Sequence, residues 1–130
     1  MSAQQTEASF VAGIMRRITA IGGTWEKRHG THYGKAGQPD ITGCLAGRRI
    51  EIEAKAGDNK PTPMQLQRLK EWSRAGAACA VAWSGAAPRA GRSDLEAANR
   101  EPGVSIVPLQ GYDEVVVFVR TAAMKNEGSI

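Results

Sequence analysis

The spacing of apolar residues divides the chain into helical and extended stretches. From about Thr6 to Ala20, Phe10, Val11, Ile14, Met15, Ile18 and Ile21 recur at intervals of three and four, which predicts an amphipathic helix closed by Gly22-Gly23. Thr24 to Arg28 reads as a first strand. Ile41 to Leu45 and Arg49 to Lys55 read as two more, with Gly47-Arg48 able to make a two-residue hairpin turn between them. Thr62-Pro63 is a helix start, with Thr62 as N-cap and Pro63 at the first position, and that helix is expected to stop near Ala75-Gly76. Ala77 to Trp83 is a short apolar run suited to a strand buried on both faces. Strand, helix and strand in succession imply a right-handed parallel crossover.

After Ser84 the pattern weakens. The chain to Gly103 is small, basic and loop-like, except that Ser93-Asp94-Leu95-Glu96 has capping-box form and predicts a short helix to about Asn99. Val104 to Val107 and Val115 to Arg120 read as two further strands around a turn at Gly111, with a Val-rich character that suits a sheet edge or a dimer surface. From Thr121 onward a loose tail is expected. The pattern therefore predicts one α/β domain over residues 1–130, a central mixed β-sheet flanked by helices.

Composition adds limited constraints. An apolar content of 42% over 130 residues supports a single core that needs no disulfide or metal staple. The 17 basic residues against 13 acidic ones give a formal charge of +4, which fits ordinary solubility and also a polyanion gripped around an acidic centre. Cys44 and Cys79 stand apart from each other and read as reduced, buried small hydrophobes of a cytoplasmic protein. The first helical pattern is broken by Arg16-Arg17 and no apolar run reaches membrane-spanning length, so neither a signal peptide nor a membrane segment is expected.

The chemistry concentrates between Gln38 and Gln65. Strand alternation puts Glu51, Glu53 and Lys55 on one face and Ile50, Ile52 and Ala54 on the other. Three charges on one face of a core-like strand are expensive unless that face looks into a cleft, an ion or water. Asp40 and Glu53 are hard oxygen donors suited to Mg²⁺ or Mn²⁺, and Lys55 shares the face of Glu53, where it can orient or deprotonate a water. Glu51 either helps hold a second metal or lies at the cleft edge. Gln65 falls on the inward side of its helix, as a capping residue or as a polar group reaching a site. The glycine-rich loop from His29 to Gly37 leads directly into Pro39-Asp40, and Lys27, Arg28, His32, Tyr33 and Lys35 supply polar or positive contacts for a phosphate chain. His29 and His32 lack further ligands at zinc spacing.

Pro39-Asp40 followed, after twelve intervening residues, by Glu53-Ala54-Lys55 resembles the PD-(D/E)xK nuclease motif. With Gly37-Gln38 before it, and Thr62-Pro63-Met64-Gln65-Leu66 and Trp72 after it, the series is similar to the VRR-NUC (virus-type replication-repair nuclease) branch, including stand-alone phage and prophage versions, over about residues 5–84. The resemblance implies a restriction-endonuclease-like fold and a Mg²⁺- or Mn²⁺-dependent DNA endonuclease, structure-selective in the manner of a Holliday-junction resolvase and homodimeric. A nuclease acting on flap or linear duplex DNA within a larger complex, or a non-catalytic nucleic-acid-binding module, is the alternative. It implies Asp40, Glu53 and the carbonyl of Ala54 as metal ligands, Lys55 as the catalytic lysine, Gln65 as a polar residue entering from the following helix, and Glu7 as the acid that the first helix often adds. No small-molecule cofactor is expected.

Overall fold

The computed structural model describes residues 5–28 and 34–127. Its elements run α1 (Glu7–Ile21), β1 (Thr24–Lys27), β2 (Ile41–Leu45), β3 (Arg48–Lys55), α2 (Pro63–Arg74), β4 (Ala78–Trp83), α3 (Arg89–Ala98), β5 (Ile106–Gln110) and α4 (Gly111–Glu127). The strands lie side by side in chain order as one five-stranded sheet. β1, β2 and β3 form an antiparallel meander, while β4 and β5 add parallel to β3, so the sheet is mixed.

The starts of the first two helices are set by local chemistry. Thr6 Oγ1 accepts from Ser9 N at 3.1 Å at the start of α1, and Thr62 Oγ1 accepts from Gln65 N at 3.1 Å at the start of α2. The helices flank the sheet on both faces. α1 and α4 cover one, where Phe10, Ile14 and Ile18 meet Ile50, Ile52, Ala54 and Val119. α2 and α3 cover the other, where Leu69, Leu95 and Ala98 pack on Cys79, Val81 and Trp83. Each such fully buried large aliphatic contributes about 1.5–3 kcal/mol.

The hairpin turn is Ala46-Gly47, one residue earlier than the expected Gly47-Arg48. Both turn residues have positive φ, 52° and 77°, the backbone twist that matches two antiparallel strands. A turn at Gly47-Arg48 would set Thr42 across from Glu53. The observed register pairs Ile41 with Ile52 and Thr42 with Glu51, and one step further brings Asp40 level with Glu53.

The last third departs most from expectation. The strand expected at Val104–Val107 is β5, two residues later, and the strand expected at Val115–Arg120 is the middle of α4. Valine content favoured a strand, but burial follows the helical period: Val115, Val119, Ala122 and Ala123 are inside while Val117 is 63% exposed. Asp113 and Glu114 occupy the first turn of that helix, and Glu114 Oε1 accepts from Gln110 N at 2.9 Å. Residues 121–127, expected to be a loose tail, continue the helix. α3 begins at Arg89, before the expected cap at Ser93. Its small residues serve close packing: a Cβ on Gly91 would stand 2.8 Å from Trp83 Cζ2. Cys79 is buried as expected, whereas Cys44 is exposed at the hairpin end of β2, where its cross-strand neighbours Thr24 and Arg49 are exposed as well. No helix among the described residues is long and apolar enough to cross a membrane.

Helix and strand make opposite predictions for three valines. A strand would put Val115, Val117 and Val119 on one face. In α4, Val119→Ala is expected to destabilise by about 2 kcal/mol, and Val117→Ala by less than about 0.5 kcal/mol, as read from urea denaturation midpoints.

Candidate active site

The charged face of β3 is buried. Relative exposure is 0% at Glu51, 1% at Glu53 and 7% at Lys55, so the face is roofed by protein rather than open to solvent. Two neighbouring environments result, and they treat their carboxylates differently.

Glu51 is saturated. Arg28 Nη1 lies 2.6 Å from its Oε1, Arg49 Nε donates to its Oε2 at 2.9 Å, and the Thr42 hydroxyl donates to the same Oε2. Both guanidinium groups stand over the Trp72 ring, Arg49 at 4.5 Å and Arg28 at 5.5 Å from its centroid. This closed cluster leaves Glu51 no free oxygen for a second metal, and it commits Arg28, expected at a phosphate chain, to a buried carboxylate. The cluster also braces the segment before β2. Arg28 Nη1 donates to Pro39 O at 2.8 Å, Arg28 N to Asp40 O at 2.7 Å, and Trp72 Nε1 to Gln38 Oε1 at 2.7 Å. Gly37, with φ 80°, lets the chain pass against α2, where a Cβ would come within 2.6 Å of Met64 Cγ. The bracing by Arg28, Arg49, Thr42 and Trp72 was not read from the sequence; the alternation of Thr42 and Glu51 across a hairpin carries it only once the register is known.

Asp40 and Glu53 are held together, and Glu53 is left short of donors. Asp40 Oδ2 accepts from Ala54 N at 2.9 Å. Lys55 Nζ lies 3.5 Å from Glu53 Oε2. Glu53 Oε1 is buried and accepts no hydrogen bond, while the protonated Glu53 carboxyl donates to Asp40, a contact that raises Glu53 and lowers Asp40. Burial pushes the Glu53 carboxyl up to about 8, with the nearby Asp40 charge acting in the same direction and Lys55 against it. Asp40 is also raised, chiefly by burial, while the Ala54 N–H opposes the shift and the Glu7 charge adds to it. The Glu7 carboxylate therefore stands near enough to act on Asp40; its Oε1 accepts from Asn59 Nδ2 at 3.4 Å.

The other residues singled out by sequence are distributed as follows. Gln65 closes a capping box: its Oε1 accepts from Thr62 N at 2.9 Å, so its amide oxygen is engaged at the start of α2. Lys27 and Lys35 are exposed, and Lys35 lies near enough to α2 to help lower Glu71, where the hydrogen bond from Arg68 is the main cause. His32 and Tyr33, with His29, fall outside the described residues. Beyond Lys55, whose carbonyl accepts from Ser84 N at 3.0 Å, the loops after β3 and β4 line a cavity of about 350 Å³ with Gln5, Asp58 and Ser84.

The donor set fits a hard divalent cation. Two carboxyl groups in contact, both raised chiefly by burial, one oxygen that accepts no hydrogen bond, and a lysine alongside form a site with surplus acceptor capacity once both carboxyls ionise. Among the described residues no group of three His, Cys, Asp or Glu side chains stands together, so a cation here would draw on Asp40, Glu53 and oxygens from backbone, water or substrate. Comparisons with protein-family models, curated proteins and solved structures find no match for the chain.

The raised carboxyl groups fix a sign for metal-free protein. Glu53 binds its proton more tightly folded than unfolded, so its contribution to stability is full below about 4.5 and falls as pH rises through about 8. Thermal melts in chelator are expected to show stability declining across that window. Glu53→Gln, which keeps the shape without the charge, should flatten the decline; an unchanged slope would assign it to other groups.

Proposed function

We propose that the chain is a Mg²⁺- or Mn²⁺-dependent endonuclease of DNA with a restriction-endonuclease-like fold, similar to the VRR-NUC branch of the PD-(D/E)xK nucleases. The observation that carries this reading is the orphaned Glu53 Oε1 beside Asp40, with Lys55 Nζ 3.5 Å from the other Glu53 oxygen. Two carboxyl groups in contact, one of them buried with an oxygen that accepts nothing, beside a shielded amine are costly as plain core structure and useful at a phosphodiester.

Asp40 and Glu53 would hold the cation, with the Ala54 carbonyl as the third protein ligand that the resemblance implies. A divalent cation supplies Lewis acidity, acidifying water and neutralising phosphate charge. The Ala54 N–H fixes the Asp40 carboxylate at 2.9 Å, and the Arg28–Glu51–Trp72 cluster fixes the backbone that carries Asp40. Lys55, shielded from solvent, holds its ammonium where it can donate to the attacking water and to the phosphoryl oxygens as charge builds on them; as the neutral amine it would instead take the proton of that water. Lys27 and Lys35, exposed on either side of the loop before Pro39, are suited to the flanking phosphates. Substrate preference for branched DNA and action as a symmetric dimer in the cytoplasm complete the proposal, since two related strands of a four-way junction call for two related sites.

Purified protein incubated with labelled four-way junction, flap, single-stranded and linear duplex DNA, in Mg²⁺, Mn²⁺ or EDTA, tests it. Metal-dependent cleavage is expected, reduced at least about a hundredfold in Lys55→Ala and lost in Asp40→Asn. Paired symmetric nicks confined to the junction support a resolvase; cutting of flap or duplex keeps the nuclease and rejects junction selectivity. DNA binding without cleavage of any substrate would overturn the enzyme in favour of a binding module.

A further inference from the structure

We propose that α4 and the groove beside it form a twofold interface between two copies of this chain. The groove, of about 560 Å³, lies on the α4 side of the sheet, away from Asp40 and Glu53, with Ala78, Val107 and Leu109 as its floor and Val117, Phe118 and Thr121 on one wall. Of the four large hydrophobic side chains exposed among the described residues, Val107, Val117 and Met124 lie on β5 and α4. Val117, Thr121 and Met124 follow one another at four and three residues, an apolar ridge along the outside of α4. Val117 and Thr121 belong to both, so ridge and groove form one continuous surface that a second copy can cover through a twofold axis.

Charge selects the occupant. Asp113 and Glu114 lie in the first turn of α4, while Arg120 and Lys125 lie in its second half. None of the four takes part in an ion pair among the described residues, and none has an opposite charge three or four positions away among those residues. Two α4 helices packed antiparallel would bring each acidic end against the other's basic end, with Val117 facing Thr121 of the partner subunit and Asp113 level with Lys125 of the partner subunit. The helix dipoles add to that pairing. Arg48 lines the same groove and adds a positive charge to it. Pairing through the outer edge of β5 is disfavoured instead, because Pro108 removes a backbone donor at the middle of that strand. The inference rests on the symmetric dimer of the proposed function and names its contact surface, and its test reads association rather than cleavage.

Sedimentation velocity of the full chain from micromolar to hundreds of micromolar tests it, with circular dichroism confirming that each variant folds. A monomer–dimer equilibrium is expected, its Kd raised at least about tenfold by Val117→Asp and raised also by Lys125→Glu. Asp113→Lys combined with Lys125→Glu should restore association. A monomer at every concentration would overturn the proposal, and so would a dimer indifferent to both Val117→Asp and Lys125→Glu.

Discussion

Everything near the candidate site depends on the burial of one charged strand face. Glu51, Glu53 and Lys55 are removed from water in the middle of a sheet, where an isolated charge would be prohibitive. Glu51 is compensated in full by two arginines and a hydroxyl. Glu53, two residues along, receives one lysine at 3.5 Å and responds by holding its proton to about pH 8. The contrast between a satisfied carboxylate and an unsatisfied one on the same strand distinguishes scaffold from site. The arginine cluster makes the strand tolerable, and the residual deficit at Glu53 and Asp40 is where a cation would act.

Geometry follows from the same strand. Because β2 and β3 are antiparallel with Ile41 opposite Ile52, Asp40 arrives level with Glu53, and the Ala54 N–H reaches its carboxylate. The parallel addition of β4 across α2 then closes the far side of β3, placing Lys55 beside Trp83 in register. A meander alone would leave the charged face in solvent. The crossover helix provides its roof, and Trp72 on that helix supplies the surface over which Arg28 and Arg49 pack.

The two faces of β3, the capped starts of α1 and α2, and the crossover to β4 were legible because each rests on local chemistry: alternation, a threonine cap, proline at a first turn. The register of the hairpin was not, since Ala46-Gly47 and Gly47-Arg48 differ by one residue and only the cross-strand demands of Glu51 and Asp40 choose between them. α4 was misread because β-branched residues at 115, 116, 117 and 119 favour strand locally, while the core beneath Val115, Val119 and Ala122 selects the helix. Gln65 shows the limit of spacing arguments at the site: one inward position on α2 serves a capping box, and its amide oxygen is engaged there.

The central claim is that Asp40 and Glu53 form a divalent cation site, and calorimetric titration of Mn²⁺ into the purified chain tests it without reliance on any substrate. The account predicts saturable binding that is lost in Asp40→Asn and strongly weakened in Glu53→Gln, with Glu51→Gln retaining the site. No saturable binding at millimolar Mn²⁺, or equal binding by the wild type and both site variants, would contradict it.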